Sequence, residues 1–331
     1  MKQLILLALL VSVFLTACGG TVDAAPEPTG TSSPHPSATV TTTTTQTPTI
    51  TPTHTVTPTD TITPTPTTTR VHQGPDAVIV PILLYHRIGE SPIDSQYYVP
   101  PDRFEEQMKL LHDWEYTIIP IELLVEAIKE GADLPPRPII ITFDDGDISV
   151  YTTAFPIMQK YGLTGVTYIV GNYMDQPGYM SADQIKELAD AGWEVGSHSM
   201  NHRDLRKIDA YMQRFEVVES RKKLEEATGI SVDTFAYPFG FLGSSGGEMV
   251  HVAEYIAAMG LGFTSDQGKS NLFWLQRRDV KGEYDIERFA QFLPWQGDPS
   301  FMPPDTPTPT PTPSRTPIPT YTQYPTSTSQ P

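Results

Sequence analysis

The sequence holds a single cysteine, Cys18, in 331 residues, which excludes an intrachain disulfide and any metal site built from several thiolates. Positive charge is also scarce: 22 Lys and Arg stand against 39 Asp and Glu, for a formal net charge of −17. The two ends carry only Asp23, Glu27, Asp60 and Asp305 against Lys2, Arg70 and Arg315, so nearly all of that charge falls in the middle. A body that acidic repels phosphate backbones and anionic membrane surfaces, because binding either depends on Lys and Arg displacing counterions. Nucleic acid is thereby excluded as a partner. Aliphatic periodicity is missing from residues 19–75 and 302–331, which are mostly Thr, Pro and Ser and hold well over half of the 33 prolines. Such segments bury too little apolar surface to offset the entropy of ordering. The composition therefore predicts disordered flanks around one folded domain over 76–301, long enough for a sizeable core.

At the N-terminus Lys2 precedes an apolar run from Leu4 to Leu15, too short for an ordinary membrane span, followed by Thr16-Ala17-Cys18. This is the pattern of an export signal. Small residues directly before the sole cysteine resemble the bacterial lipoprotein signal, in which the Cys is lipidated and becomes the mature N-terminus. A plain secretory signal with a cysteine near its cleavage site is the alternative. The expectation is a leader over 1–18 with Cys18 lipidated, and an exported monomer that touches the membrane only through that anchor and faces the cell exterior. The Thr-Pro repeats of the 19–75 linker and the 302–331 tail read as semi-rigid spacers.

Inside the body, strand-like apolar runs at 77–85, 139–143, 165–170, 193–196, 234–237 and 261–264 alternate with helix-like stretches at 102–114, 121–130, 148–161, 181–191, 204–228 and 246–259. That alternation predicts an α/β fold of parallel β/α units, either an open sheet or a barrel. In both, chemistry sits where strands end. The 204–228 stretch, with Phe215, Val218 and Leu224 on one stripe, reads as a solvated amphipathic helix.

Two strand ends carry unusual polar residues. Ile139-Ile140-Ile141 leads into Thr142-Phe143-Asp144-Asp145-Gly146, two carboxylates delivered by an apolar strand into a glycine turn. Successive strand side chains point to opposite sides, so one carboxylate can bind a metal while the other faces water or substrate; an Asx turn capping a helix accounts for the same residues equally well. After 193–196 comes His198-Ser199-Met200-Asn201-His202, two imidazoles four residues apart and able to share one cation. Imidazole nitrogens with a carboxylate oxygen form a typical zinc donor set, and three ligands leave positions open for water.

These motifs resemble those of the polysaccharide deacetylases, the NodB-homology or carbohydrate esterase family 4 domain. Thr142-Phe143-Asp144-Asp145-Gly146 matches the family's first motif, His198-Ser199-Met200-Asn201-His202 its second, and Ala236-Tyr237-Pro238-Phe239-Gly240 its third, with Ala236 in place of an arginine. The resemblance implies a distorted (β/α) barrel with fewer than eight regular strands. It further implies Asp144 as general base, Asp145, His198 and His202 as ligands of a divalent metal ion, zinc foremost, and the backbone N–H of Phe239 as part of an oxyanion hole.

Two departures matter. The family's usual general-acid histidine near the C-terminal end is missing, since the last histidine is His251 in a helix-like stretch. Pro81-Ile82-Leu83-Leu84-Tyr85-His86-Arg87-Ile88 instead resembles the branch that includes the poly-β-1,6-N-acetylglucosamine deacetylases, which implies His86 as the acid. In the same branch a late strand supplies an arginine that holds the base, which points to Arg277 in Leu275-Gln276-Arg277-Arg278, with Arg278 the competing choice. Tyr97, Tyr98, Tyr173, Tyr179, Phe241 and Trp274 are candidates for stacking on sugar rings, or for plain packing. The expected activity is metal-dependent deacetylation of N-acetylglucosamine units in a cell-envelope or extracellular polysaccharide. A catalytically silent carbohydrate-binding protein and a hydrolase of small amides on the same fold are the alternatives.

Overall fold

The computed structural model describes residues 70–242 and 246–297. The expected leader with Cys18, the linker up to residue 69 and the 302–331 tail lie outside the described residues. The linker boundary at 75 needs correction: Val71–Gln73 forms a strand that pairs antiparallel with Ala132–Leu134. Three residues set among Thr and Pro show no periodicity of their own, and only a partner some sixty residues away makes them a strand.

The body is a parallel sheet rolled toward a barrel. Its strands run in the spatial order Ala257–Met259, Thr234–Ala236, Glu194–Ser197, Val166–Ile169, Pro138–Phe143, Ile82–Tyr85 and Arg278–Asp279, and the short Thr117–Ile118 joins the start of Pro138–Phe143. Every neighbouring pair in this sheet is parallel. The last segment joins both edges. Arg278 and Asp279 pair with Leu83 and Leu84, while Leu275 bridges to Met259 and the Gly260 N–H donates to the Leu275 carbonyl at 2.9 Å. Residues 275–279 thus close the distorted (β/α) barrel that the motifs imply.

Alternation along the strands divides the core in two. Ile139, Ile141 and Phe143 pack outward against the helices with Leu83, Tyr85 and Val280. Ile140 joins Ile82, Val166, Tyr168, Ala236, Met259 and Leu275 in a separate buried cluster inside the barrel. Period-2 geometry requires this split. It also dictates that Thr142 and Asp144 share the inner side with Ile140, and that Arg277 and Asp279 share it with Leu275.

Several expected elements differ. The run at 77–85 breaks at Val80-Pro81 into Ala77–Ile79, which pairs antiparallel with Asp266–Gly268, and Ile82–Tyr85; Pro81 has no N–H to continue one ladder. The sixth strand is Ala257–Met259 and not 261–264, and it occupies the end of the stretch expected as helix, which stops at Val252. Ala-Ala-Met favours a helix locally, but pairing with Thr234–Ala236 and complete burial override that preference. The 204–228 stretch is not one solvated helix. It comprises a 3₁₀ turn at Leu205–Lys207, helices at Ala210–Arg214 and Ser220–Thr228, and a π-helical turn between them at Phe215–Glu219. Gln213 and Glu216 inside it are fully buried, whereas Phe215 is exposed.

Candidate active site

Because the strands are parallel, their C-terminal ends open onto one face, and a cavity of about 430 Å³ there is lined by His86, Asp144, Asp145, His198, His202, Phe239 and Arg277. All seven body residues singled out from the sequence meet in it. Arg87, Tyr97, Phe241 and Asp279 complete much of its wall.

Asp144 is buried at the end of Pro138–Phe143 and gripped by Arg277 in a fork: Nη1 donates to Oδ1 and Nη2 to Oδ2, both at 2.7 Å. Nη1 also reaches Thr142 Oγ1 at 3.2 Å, and Nε donates to the Gly260 carbonyl at 3.1 Å. Burial pushes the Asp144 carboxyl up, but the charges of Arg277 and His198 and the Arg277 hydrogen bonds outweigh it and hold the pKa down at about 2. Asp144 is therefore ionised throughout the neutral range. Arg278, the competing choice, has the opposite strand parity and lies over the ring of Phe292, 5.4 Å from its centroid.

Asp145, His198 and His202 present one donor atom each, all within 4.8 Å of one another. Asp145 Oδ1 is 3.8 Å from His198 Nε2 and 3.5 Å from His202 Nε2. Those separations suit one ion held at about 2.0–2.2 Å from each atom. The donor chemistry fits as well. His198 Nδ1 lies 2.8 Å from the Ala236 carbonyl, which can only accept, so Nδ1 carries the proton and Nε2 keeps its lone pair for a metal. Burial, and then the nearby His198, lower the His202 pKa to about 4, so the His202 imidazole is a neutral donor at pH 7.

Local backbone strain sits at these residues. Asp145, Ser199, His202 and Phe239 all have left-handed φ values, at 77°, 67°, 55° and 60°. Non-glycine residues held this way cost energy and persist only where surrounding contacts over-determine them. The contacts are visible: Ser199 Oγ accepts from the His202 N–H at 2.9 Å, and the ring of Phe239 packs edge-on against that of His202 at 4.8 Å.

His86 follows Ile82–Tyr85 on the opposite wall, with its ring 4.7 Å from that of Tyr97. Its Nδ1 is buried without a hydrogen bond and lies 4.0 Å from Asp279 Oδ1, which is likewise unpartnered. Burial lowers the His86 pKa, against the pull of Asp144, Asp145 and Asp279, and burial raises that of Asp279.

Three participants escaped the sequence reading. Arg87 ties Asp145 Oδ2 at 3.1 Å to Asp147 Oδ2 at 3.0 Å, which leaves Asp145 Oδ1 toward the two histidines. Asp279 was readable only once strand alternation put it on the side of Arg277. Glu216, fully buried, accepts from the Asn201 backbone N–H at 2.7 Å and its Nδ2 at 2.8 Å, pinning the loop between the two histidines. Of the proposed stacking aromatics, only Tyr97 and Phe241 line the cavity. Tyr173 and Tyr179 pack on each other, and Tyr98 lies beneath Arg87. Trp274 donates from Nε1 to the Gly240 carbonyl at 3.1 Å, and Gly260 makes room for it, since a Cβ there would fall 1.4 Å from that nitrogen. His251 packs edge-on against Phe273, and it is not among the residues that line the cavity.

The chain is similar to known proteins in sequence and fold. Residues 131–255 match the profile described as polysaccharide deacetylase. YxkH of Bacillus subtilis (strain 168), named for the same family, is 30% identical over 164 residues, 49% of this chain and 57% of its own length. A poly-β-1,6-N-acetyl-D-glucosamine N-deacetylase of Staphylococcus aureus (strain MRSA252) is 28% identical over 162 residues, 45% of this chain and 56% of its own. The chain thus spans little more than half the length of these curated relatives. Among solved structures, the Streptococcus pyogenes deacetylase PplD in complex with acetate is 25% identical with a TM-score of 0.59, covering 65% of this chain and 98% of that one. The barrel, the ordered motifs and these relatives agree: residues 131–255 carry the polysaccharide deacetylase profile, and the body is similar in sequence and fold to proteins of that family.

Proposed function

We propose that the protein removes acetyl groups from N-acetylglucosamine units of a cell-envelope or extracellular polysaccharide, using a divalent metal ion, zinc, held by Asp145, His198 and His202. The observation that carries this reading is the convergence in one cavity of that donor triad, the Asp144–Arg277 fork and His86. When bound, the cation supplies Lewis acidity toward the acetamido carbonyl and toward the water that attacks it.

The chain's own residues do the rest. Asp144 takes a proton from the attacking water, with Arg277 fixing both of its oxygens and keeping it ionised. The Phe239 backbone N–H offers a hydrogen bond where negative charge develops on the carbonyl oxygen. His86 delivers a proton to the departing amine, and Asp279, 4.0 Å away, stabilises the imidazolium. The C–N bond of the amide breaks, a C–O bond to water forms, and acetate and the free amino sugar leave. Tyr97 and Phe241 on the rim offer faces for neighbouring sugar rings.

The His86 strand motif and the name of the staphylococcal relative put a β-1,6-linked N-acetylglucosamine polymer among the candidate substrates, beside peptidoglycan and other N-acetylated glycans. The export signal, the lipidation of Cys18 and the Thr/Pro spacers of 19–75 and 302–331 are part of the same proposal: a monomeric lipoprotein facing the cell exterior, its only membrane contact the anchor. Acetate release by the purified protein from poly-β-1,6-N-acetylglucosamine, peptidoglycan, chitin and O-acetylated xylan, with and without chelator, tests the chemistry. Chelator-sensitive release from an N-acetylated polymer is expected. Release from xylan alone overturns the amide chemistry, and no release from any polymer turns the reading toward a silent carbohydrate-binding protein.

A further inference from the structure

A second cavity, of about 270 Å³, abuts the first across the closing strand and shares Leu261, Arg277 and Asp279 with it. Its outer wall is cationic: Arg278, Lys281 and Arg288 all line it. Among the described residues, no carboxylate lies within 4.0 Å of the charged nitrogens of Arg278, Lys281 or Arg288, so the three charges gather on one wall without a counter-charge. Lys281 donates only to Gln96 Oε1 at 2.8 Å, and the Arg288 guanidinium to Gln291 Oε1 at 2.7 Å.

Two of these guanidiniums share one aromatic ring. Arg278 and Arg288 lie 5.4 and 5.5 Å from the centroid of the same Phe292 ring, and Arg278 Nε is buried with no hydrogen-bond partner. An orphaned charged donor of this kind costs free energy until an acceptor meets it. Burial and then the charge of Arg288 lower the Arg278 pKa. A bound anion would offset the charge of the two guanidiniums. Asp279 also lines the cavity, but it lies on the inner side of the strand with Oδ1 toward His86.

We infer that the cavity formed by Arg278, Lys281 and Arg288 is a subsite for a carboxylate carried on a sugar next to the acetamido unit being processed. Planar guanidiniums recognise carboxylates bidentately, and the shared wall puts such a group within a neighbouring sugar of Asp144 and His86. The substrate class is then an N-acetylated glycan bearing carboxylate substituents, in preference to a neutral homopolymer. Placing the acetamido group in the first cavity rests on the deacetylase reading; the anion site itself does not.

The test is calorimetric binding of three oligosaccharides of equal length to the purified protein: a neutral N-acetylated chito-oligomer, the same oligomer oxidised to carboxylates at C6, and one carrying 3-O-lactyl carboxylates. At least one carboxylated probe is expected to bind about tenfold more tightly than the neutral one at low ionic strength, and the two arms distinguish where the carboxylate sits. The preference should vanish in the Arg278→Gln/Arg288→Gln protein, with thermal unfolding checking that it is folded. In the wild-type protein it should shrink in 0.5 M salt, a measurement that needs no variant. Equal or tighter binding of the neutral oligomer, binding of neither kind, or a preference retained by the folded double variant overturns the inference. Acetate release by the wild-type protein, followed in parallel, reports separately on the deacetylase reading.

Discussion

Arg277 and Asp144, 133 residues apart in the chain, meet inside the barrel through two parallel hydrogen bonds of 2.7 Å each. The segment that delivers Arg277 is the one that joins the two edges of the sheet, so closing the barrel and arming the carboxylate are a single event. Loss of that strand would leave Asp144 buried without a counter-charge.

Arg277→Met is therefore expected to destabilise the protein by about 3–5 kcal/mol, the usual cost of stranding one member of a buried ion pair. Adding Asp144→Asn should recover part of that loss, because the stranded charge is gone. Denaturant unfolding of both single variants and the double variant measures the coupling; additive effects would show that the fork contributes no interaction of its own.

Metal binding and proton transfer should separate by residue. His198→Ala is expected to lose the metal, read by zinc titration, and with it acetate release. Asp144→Asn should keep the metal while losing about 10²–10⁴ in turnover, and His86→Ala should behave likewise. An Asp144→Asn protein with unchanged turnover would remove Asp144 from the base role.

Glu216 supports the site from behind by holding Asn201 between the two histidines. Glu216→Gln keeps the shape but exchanges a charged acceptor for a neutral one, and zinc affinity should weaken about 10–100-fold. Unchanged zinc affinity in a folded variant would make Glu216 a purely structural residue.

At the opposite end of the barrel, Glu194 accepts from the Ile121 N–H at 3.0 Å, and burial pushes its pKa up to about 7. The folded state thus holds this proton more tightly than the unfolded one, whose carboxyl titrates near 4.5. The contribution is present in full below the unfolded value and is lost as pH rises through about 7, so stability should fall between pH 4.5 and 7 by at most about 3 kcal/mol. Glu194→Gln should flatten that part of the stability profile, measured by unfolding at a series of pH values. An unaltered slope in the variant would assign the pH dependence elsewhere.

Much of the fold was legible because strand and helix periods alternate plainly along the body, and most of the site was legible because its residues cluster in three short motifs. What escaped depended on distant partners. Val71–Gln73 and Ala257–Met259 are strands only because another strand lies beside them. Glu216 looked like one more charge on an amphipathic helix until a π-helical turn rotated it into the interior.

The sequence by itself determined which residues are candidates for the chemistry, since Asp144-Asp145, His198 and His202, and His86 at a strand end are local facts of residue type and spacing. The tertiary structure alone decided the choice between Arg277 and Arg278. Adjacent strand residues face opposite ways, and which of them enters the barrel depends on register against Ile82–Tyr85 and on the bridge from Leu275 to Met259. The cationic wall of Arg278, Lys281 and Arg288 has the same origin. A residue turned away from the base faces whatever the barrel's closure brings against its outer side, and no local pattern encodes that.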